Sequence, residues 1–212
     1  MSKRIIKSSQ IIKILTIILP IMLFVFIAFS LYANILTNFE SWAYSKSVEH
    51  MSPFFTFCMK TITYMGDNIT ITLICLALFA IPFLQKNYAL PVSISVISSA
   101  YINTVLKLIF ARSRPDILRL VTETDYSFPS GHSMASMALC GAFILLAWKI
   151  MKTLKAKIIT TVICVFLIVS IGFSRIYLGV HYVTDVAAGW CLGVSIALCV
   201  VYVYEKIKNR EK

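Results

Sequence analysis

Six long apolar runs, set apart by short polar links, constrain this chain more than any other feature. They are roughly Ile11–Tyr32, Ile69–Leu84, Leu90–Phe110, Ser133–Trp148, Ile158–Phe173 and Thr184–Tyr204. A helix needs about 20 apolar residues to cross a bilayer, and in hydrocarbon every backbone N–H and C=O must be paired inside the segment. The runs therefore predict an all-α polytopic membrane protein with six transmembrane helices. Composition agrees: 59% of residues are hydrophobic and 14% charged, against about 25% charged in a soluble domain. That excludes an ordinary soluble enzyme, a disordered chain and a nucleic-acid-binding domain. The net charge of +11 reads as cytoplasmic flanks of spans, not as a nucleic-acid footprint.

The first run follows a basic start (Lys3, Arg4, Lys7) and ends in small residues near Ala33, as a secretory signal would. Its apolar core is too long for a cleaved segment, so it is kept as a span. Placing the N-terminus inside puts 13 of the 20 Lys and Arg on the inner side, Lys86, Lys149, Lys206 and Lys212 among them. Seven of nine acids fall outside. The positive-inside rule then predicts both termini in the cytoplasm. One integral-membrane domain is expected over residues 1–212, with a motif-bearing core at about 100–190. The six cysteines (Cys58, Cys75, Cys140, Cys164, Cys191, Cys199) have no metal-like spacing and are read as membrane packing. Asn34–Asp67 is the longest outer loop. Its aromatics (Trp42, Tyr44, Phe54, Phe55, Phe57) suit a headgroup belt or a lipid-access rim.

Charges at membrane depth cost about 2.5–3.5 kcal/mol each even on the lenient scale. Those at the outer ends of spans three to six are therefore informative, and they fall in three clusters. In the first, Lys107 and Arg114 lie seven residues apart, close to two helical turns, before Pro115. They share a face if the helix persists, and both can reach one anion; snorkelling is the alternative reading. Arg112 is rotated away and reads as a headgroup or solvent charge. In the second, Pro129-Ser130-Gly131-His132 opens the fourth span. A helix start with a hydroxyl and a glycine suits an anion, though Ser130 also reads as a plain cap. In the third, Arg175 precedes His181 and Asp185, which are four residues apart and meet on one helical face. A carboxylate on an imidazole suits a nucleophile or base, and a buried structural ion pair is the alternative. Asp116, Glu123 and Asp125 read as a solvated acidic face, not a metal site.

The three patterns together, Lys-x6-Arg-Pro, Pro-Ser-Gly-His and Ser174-Arg175-x5-His181-x3-Asp185, resemble the type 2 phosphatidic acid phosphatase superfamily, in its compact bacterial membrane form. The resemblance implies residue roles. His181 would attack phosphorus and carry the phosphoryl group, with Asp185 orienting it and His132 protonating the leaving oxygen. Lys107, Arg114, Ser130, Gly131 and Arg175 would hold the phosphate. No metal and no cofactor is implied. The expected partner is a lipid phosphate within the bilayer of a bacterial plasma membrane, met at the outer face. Undecaprenyl pyrophosphate is favoured because it is recycled on the outer leaflet; phosphatidylglycerophosphate and phosphatidic acid are the alternatives. Arg112 and Arg119 are candidates for a second phosphate. A lipid phosphotransferase on the same scaffold stays open, a haloperoxidase is disfavoured by the six spans, and a small transporter by charges gathered at one face.

Overall fold

A computed structural model describes residues 2–49, 51–116 and 118–210, with side chains from residue 10 onward. Lys212 lies outside the described residues, and so do the side chains of Lys3, Arg4 and Lys7. Among the described residues nine α-helices follow in order: α1 (Ser2–Tyr32), α2 (Thr37–Glu49), α3 (Pro53–Tyr64), α4 (Asn68–Ala80), α5 (Pro82–Leu84), α6 (Leu90–Phe110), α7 (Gly131–Ile150), α8 (Leu154–Tyr177) and α9 (Val183–Lys208). A π-helical turn, Gln85–Ala89, joins α5 to α6. No strand occurs among the described residues. Among the described residues five helical stretches are long and apolar enough to cross a bilayer, and the bent pair α3–α4 makes a sixth candidate.

Local chemistry accounts for the boundaries. Ser52 caps α3 with Pro53 at its first turn, where the missing N–H costs nothing. Ile81 is extended ahead of Pro82, as steric pressure from a proline ring demands, and α4 ends there. Ser130 caps α7 and Thr153 caps α8. Pro20 sits inside α1, which neighbouring helices permit in a span.

The core lies between α7 and α9, which bury about half of their lengths, whereas α1 and α8 bury only about a fifth of theirs. Small residues let the two central helices approach. At Gly189 an added Cβ would lie 2.7 Å from the Ser130 carbonyl oxygen, so only glycine lets α9 pass so close to the start of α7. That approach brings the Ser130 N–H to the Asp185 carbonyl at 3.0 Å. The first run packs along α9, where the Ser195 hydroxyl reaches the Ile17 carbonyl at 3.2 Å. Phe24 of α1, Phe110 of α6 and Phe128 clasp one another, with the Phe110 and Phe128 centroids 4.9 Å apart. The clasp holds the loop that leads into α7.

Three expectations change. The second run is α4, which begins at Asn68 as the sequence suggests, but α3 meets it at a 48° bend, so the aromatic part of the outer segment is helical and leads straight into that run. The outer segment as a whole is α2 and α3 rather than loop. Tyr44 is buried and donates to the Leu118 carbonyl at 3.0 Å, so it is not a belt residue, while Trp42, Phe54 and Phe57 remain exposed. Among the cysteines, Cys140, Cys164 and Cys191 are buried, but Cys199 is exposed on the apolar flank.

Candidate active site

The end of α6, the start of α7, the end of α8 and the start of α9 all lie at one end of the bundle. Together with the link between α6 and α7 they enclose a cavity of about 620 Å³. Lys107, Arg114, Gly131, His132, Arg175 and His181 line it. Ser130 and Asp185 stand behind its wall, both fully buried.

Lys107 and Arg114 converge, but not by sharing a helical face. The helix stops at Phe110, because Ala111 turns into the left-handed region at φ 43° with its N–H still on the Lys107 carbonyl. Nothing marks an alanine for that conformation in advance. The chain beyond it runs in non-helical form to Pro115, and the two cations meet instead on Asp125, which contacts both Lys107 Nζ and Arg114 Nη2. Burial pushes the Asp125 carboxyl up, yet Lys107 and Arg114 outweigh it and hold the group below its ordinary value. Glu123 contacts Arg175 and lies 3.8 Å from Arg114. So two acids read as a solvated face in fact sit on the phosphate-type cations, while Asp116 is fully exposed as expected.

Arg112 is the clearest correction. The turn at Ala111 carries it inward rather than to solvent. Its Nη1 donates to Asp185 Oδ1 at 2.6 Å and to Thr184 Oγ1 at 3.1 Å, and its Nη2 to both Glu40 oxygens at 2.7 and 2.8 Å. The guanidinium also lies 3.9 Å from the Tyr182 ring centroid. Arg119, by contrast, donates to the Pro115 carbonyl at 2.7 Å and does not line the cavity.

His181 and Asp185 meet, again not along a helix. His181 precedes α9 in the turn that follows α8, and Asp185 lies in the first turn of α9, where it accepts the Tyr182 N–H at 2.9 Å. His181 Nδ1 is 3.4 Å from Asp185 Oδ2 and from Ser127 Oγ, and Ser127 donates to the same carboxylate oxygen. On the other edge, Nε2 is 3.2 Å from Arg114 Nη1. A guanidinium can only donate, so Nε2 carries the lone pair and Nδ1 the proton. Burial drives the His181 imidazole down to about 4, against the opposing pull of Asp185. The ring is therefore neutral near pH 7, with its lone pair turned toward the cations.

His132 Nε2 is 2.6 Å from Asp67 Oδ1, at the break between α3 and α4. Arg175 donates to Thr63 Oγ1 at 2.6 Å, and its Nε is buried without a partner. Asn103 donates to the Pro129 carbonyl at 3.0 Å and so steadies the turn before Gly131. Among the described residues no group of three or more His, Cys, Asp and Glu could hold a metal ion. Glu40, Thr63, Asp67 and Asn103 are among the polar residues to which reading the sequence assigned no role, and Ser127, at the head of the second cluster, had none either. Only Asp67 carried a signal, an acid beside a glycine at the mouth of an apolar run.

Basic side chains around a neutral imidazole backed by a carboxylate suit phosphoryl transfer. Comparison with known proteins decides the family. The profile of the PAP2 superfamily matches residues 88–209. The chain belongs to the PAP2 superfamily. Within it, Phosphatidylglycerophosphatase B of Bacillus subtilis (strain 168) is 32% identical over 199 residues, covering 90% of this chain and 97% of the relative. Undecaprenyl-diphosphatase of Sulfolobus acidocaldarius is 33% identical over 116 residues, 52% of each chain. The crystal structure of a transmembrane PAP2 type phosphatidylglycerolphosphate phosphatase from Bacillus subtilis superposes with a TM-score of 0.81 at 30% identity, over 91% of this chain and 98% of that one.

Proposed function

We propose that this PAP2 protein is a membrane-embedded lipid phosphatase that works through a phosphohistidine. The observation that carries the reading is the lone pair of His181 Nε2 turned toward Arg114, with Asp185 behind Nδ1. His181 attacks the phosphorus. Lys107, Arg114 and Arg175 draw the charge of the non-bridging oxygens, and the start of α7 at Gly131 adds its helix dipole. Ser130 serves this from behind the wall by holding the turn. The ester P–O bond breaks as the N–P bond forms, and His132 gives a proton to the departing oxygen. Water then attacks the phosphohistidine, and inorganic phosphate leaves. Asp185 stabilises the positive charge His181 gains. Asp125 and Glu123 yield the cations to the phosphate. The reaction needs no metal: the developing charge is met by side-chain cations.

Phosphatidylglycerophosphate is the favoured substrate. The likeness to a phosphatase of that name runs nearly end to end, whereas the diphosphatase matches half the chain. Arg119 lies away from the cavity and Arg112 is committed to Glu40 and Asp185. Of the two cations assigned to a second phosphate from the sequence, only Arg112 lines the cavity, and it is held by two buried carboxylates. The excess of Lys and Arg on the opposite side supports an active site at the extracytoplasmic face of a bacterial plasma membrane, and one domain over residues 1–212.

Purified protein in detergent with EDTA is to be given phosphatidylglycerophosphate, undecaprenyl pyrophosphate and phosphatidic acid, with His181→Ala beside the wild type. Release of phosphate that requires His181, fastest from the first lipid, is expected. Folded protein that releases none from any of the three overturns the hydrolase reading in favour of transfer to an acceptor lipid.

A further inference from the structure

The break between α3 and α4 lies against the second histidine. A Cβ added at Gly66 would stand 3.1 Å from His132 Cδ2 and 2.7 Å from Ile171 Cγ2, so the backbone of the break is in contact with the imidazole. The next residue brings Asp67 Oδ1 to 2.6 Å from His132 Nε2. The one after, Asn68, lines the cavity together with His132. The Cδ2–Nε2 edge of the ring is thus covered by the break, and the Nδ1 edge is the one turned from it. The other titratable or charged groups around His132 are Lys107 of α6, Arg114 of the following link, Arg175 of α8 and the His181 ring. None of these accepts its N–H as Asp67 does. Asp67 also lies outside residues 88–209, the part matched by the family profile.

We propose that Asp67 is a positioning residue for His132, so that the bent second span supplies a part of the reaction machinery. The carboxylate accepts the Nε2–H, fixes the rotation of the ring and pairs with its imidazolium form, whose Nδ1–H is then the group offered to the leaving oxygen. This rests on the reading of His132 as the leaving-group acid. In the step concerned, the N–P bond to His181 forms, the P–O bond of the ester breaks, and the Nδ1 proton of His132 moves to the departing oxygen. The water that later splits the phosphohistidine returns a proton to the same nitrogen.

Two amphiphilic substrates separate this role from a structural one. Dodecyl phosphate has an alkoxide that departs only when protonated. A nitrophenyl phosphate bearing the same chain has a phenolate that departs unaided. Asp67→Asn is expected to lower kcat for the alkyl ester by about 10- to 100-fold, part of the roughly 100- to 10,000-fold that a general acid supplies. The aryl ester should lose less than about 3-fold, with KM unchanged for both. The ratio of the two rates in one preparation does not depend on how much of the protein is folded. Should Asp67→Asn yield no folded protein, Asp67→Ser is measured on the same two esters, and a selective or an equal loss carries the same meaning. Equal losses on both esters overturn the proposal. His132→Ala on the same pair keeps the two failures apart. If it too loses both rates equally, the leaving-group role of His132 falls. If it is selective and Asp67→Asn is not, Asp67 alone falls.

Discussion

Arg112→Ala is expected to damage this protein as severely as the loss of a direct phosphate ligand, although Arg112 is bound to carboxylates of the fold. Its side chain is one-fifth exposed, while Glu40 and Asp185 beneath it are 5% and 0% exposed. Removing the guanidinium leaves two buried carboxylates with one cation fewer, and breaking a buried pair from one side costs about 3–5 kcal/mol. Loss of the contact over Tyr182 adds about 0.5–2 kcal/mol. Glu40→Gln removes one charge, keeps a hydrogen-bonding group, and leaves Arg112 with Asp185, so it should cost only about 1–2 kcal/mol. Because the two residues touch, the double variant should fall short of the sum by about 1–3 kcal/mol. Unfolding free energies in mixed micelles give all three numbers, and kcat on a lipid phosphate reports whether Asp185 still supports His181. The reasoning is refuted if Arg112→Ala stays within about 0.5 kcal/mol of wild type, the range of an ordinary surface change, with kcat intact.

Further outcomes follow from other contacts. The folded His181 value of about 4 lies below the ordinary value of about 6.5. Stability tied to its neutral ring is therefore complete above about pH 6.5 and lost as pH falls toward 4, by about 3 kcal/mol; His181→Asn should lack that loss, and equal pH slopes for the two proteins would count against it. Asp125 is half exposed, so its hold on Lys107 and Arg114 is worth at most about 1 kcal/mol. Asp125→Asn should therefore tighten inhibition by inorganic phosphate by up to about 5-fold, and weaker inhibition would contradict the competition. Gly179 has φ +71°, and a Cβ there would lie 1.9 Å from the Leu118 carbonyl oxygen. Gly179→Ala should destabilise by more than about 2 kcal/mol, measured by the same unfolding assay.

The spans were legible because apolar length is a local property. What the break at Gly66–Asp67 hid was a helix: the aromatic stretch of α3 looks like an interfacial loop until it is seen to join α4 at a 48° bend. The motif residues were legible because their spacing is short and their residue types are rare in hydrocarbon. Their acidic partners were not. Glu40 and Arg112 are 72 positions apart, and Asp67 and His132 are 65 apart, so only the packing of helices brings them together. The phase argument for Lys107 and Arg114 reached the right pair by the wrong route. It assumed a helix through Ala111, and the left-handed turn there reversed the expected place of Arg112.

The carboxylates on the cations have one more consequence. Lys107, Arg112, Arg114 and Arg175 face Glu40, Glu123, Asp125 and Asp185, four charges of each sign. At rest the cluster is electrically balanced, so it can settle at the edge of an apolar slab without drawing in mobile ions. A phosphate then enters by ion exchange, displacing tethered carboxylates rather than releasing salt into solution. Affinity for substrate should accordingly respond less steeply to ionic strength than four exposed cations would suggest.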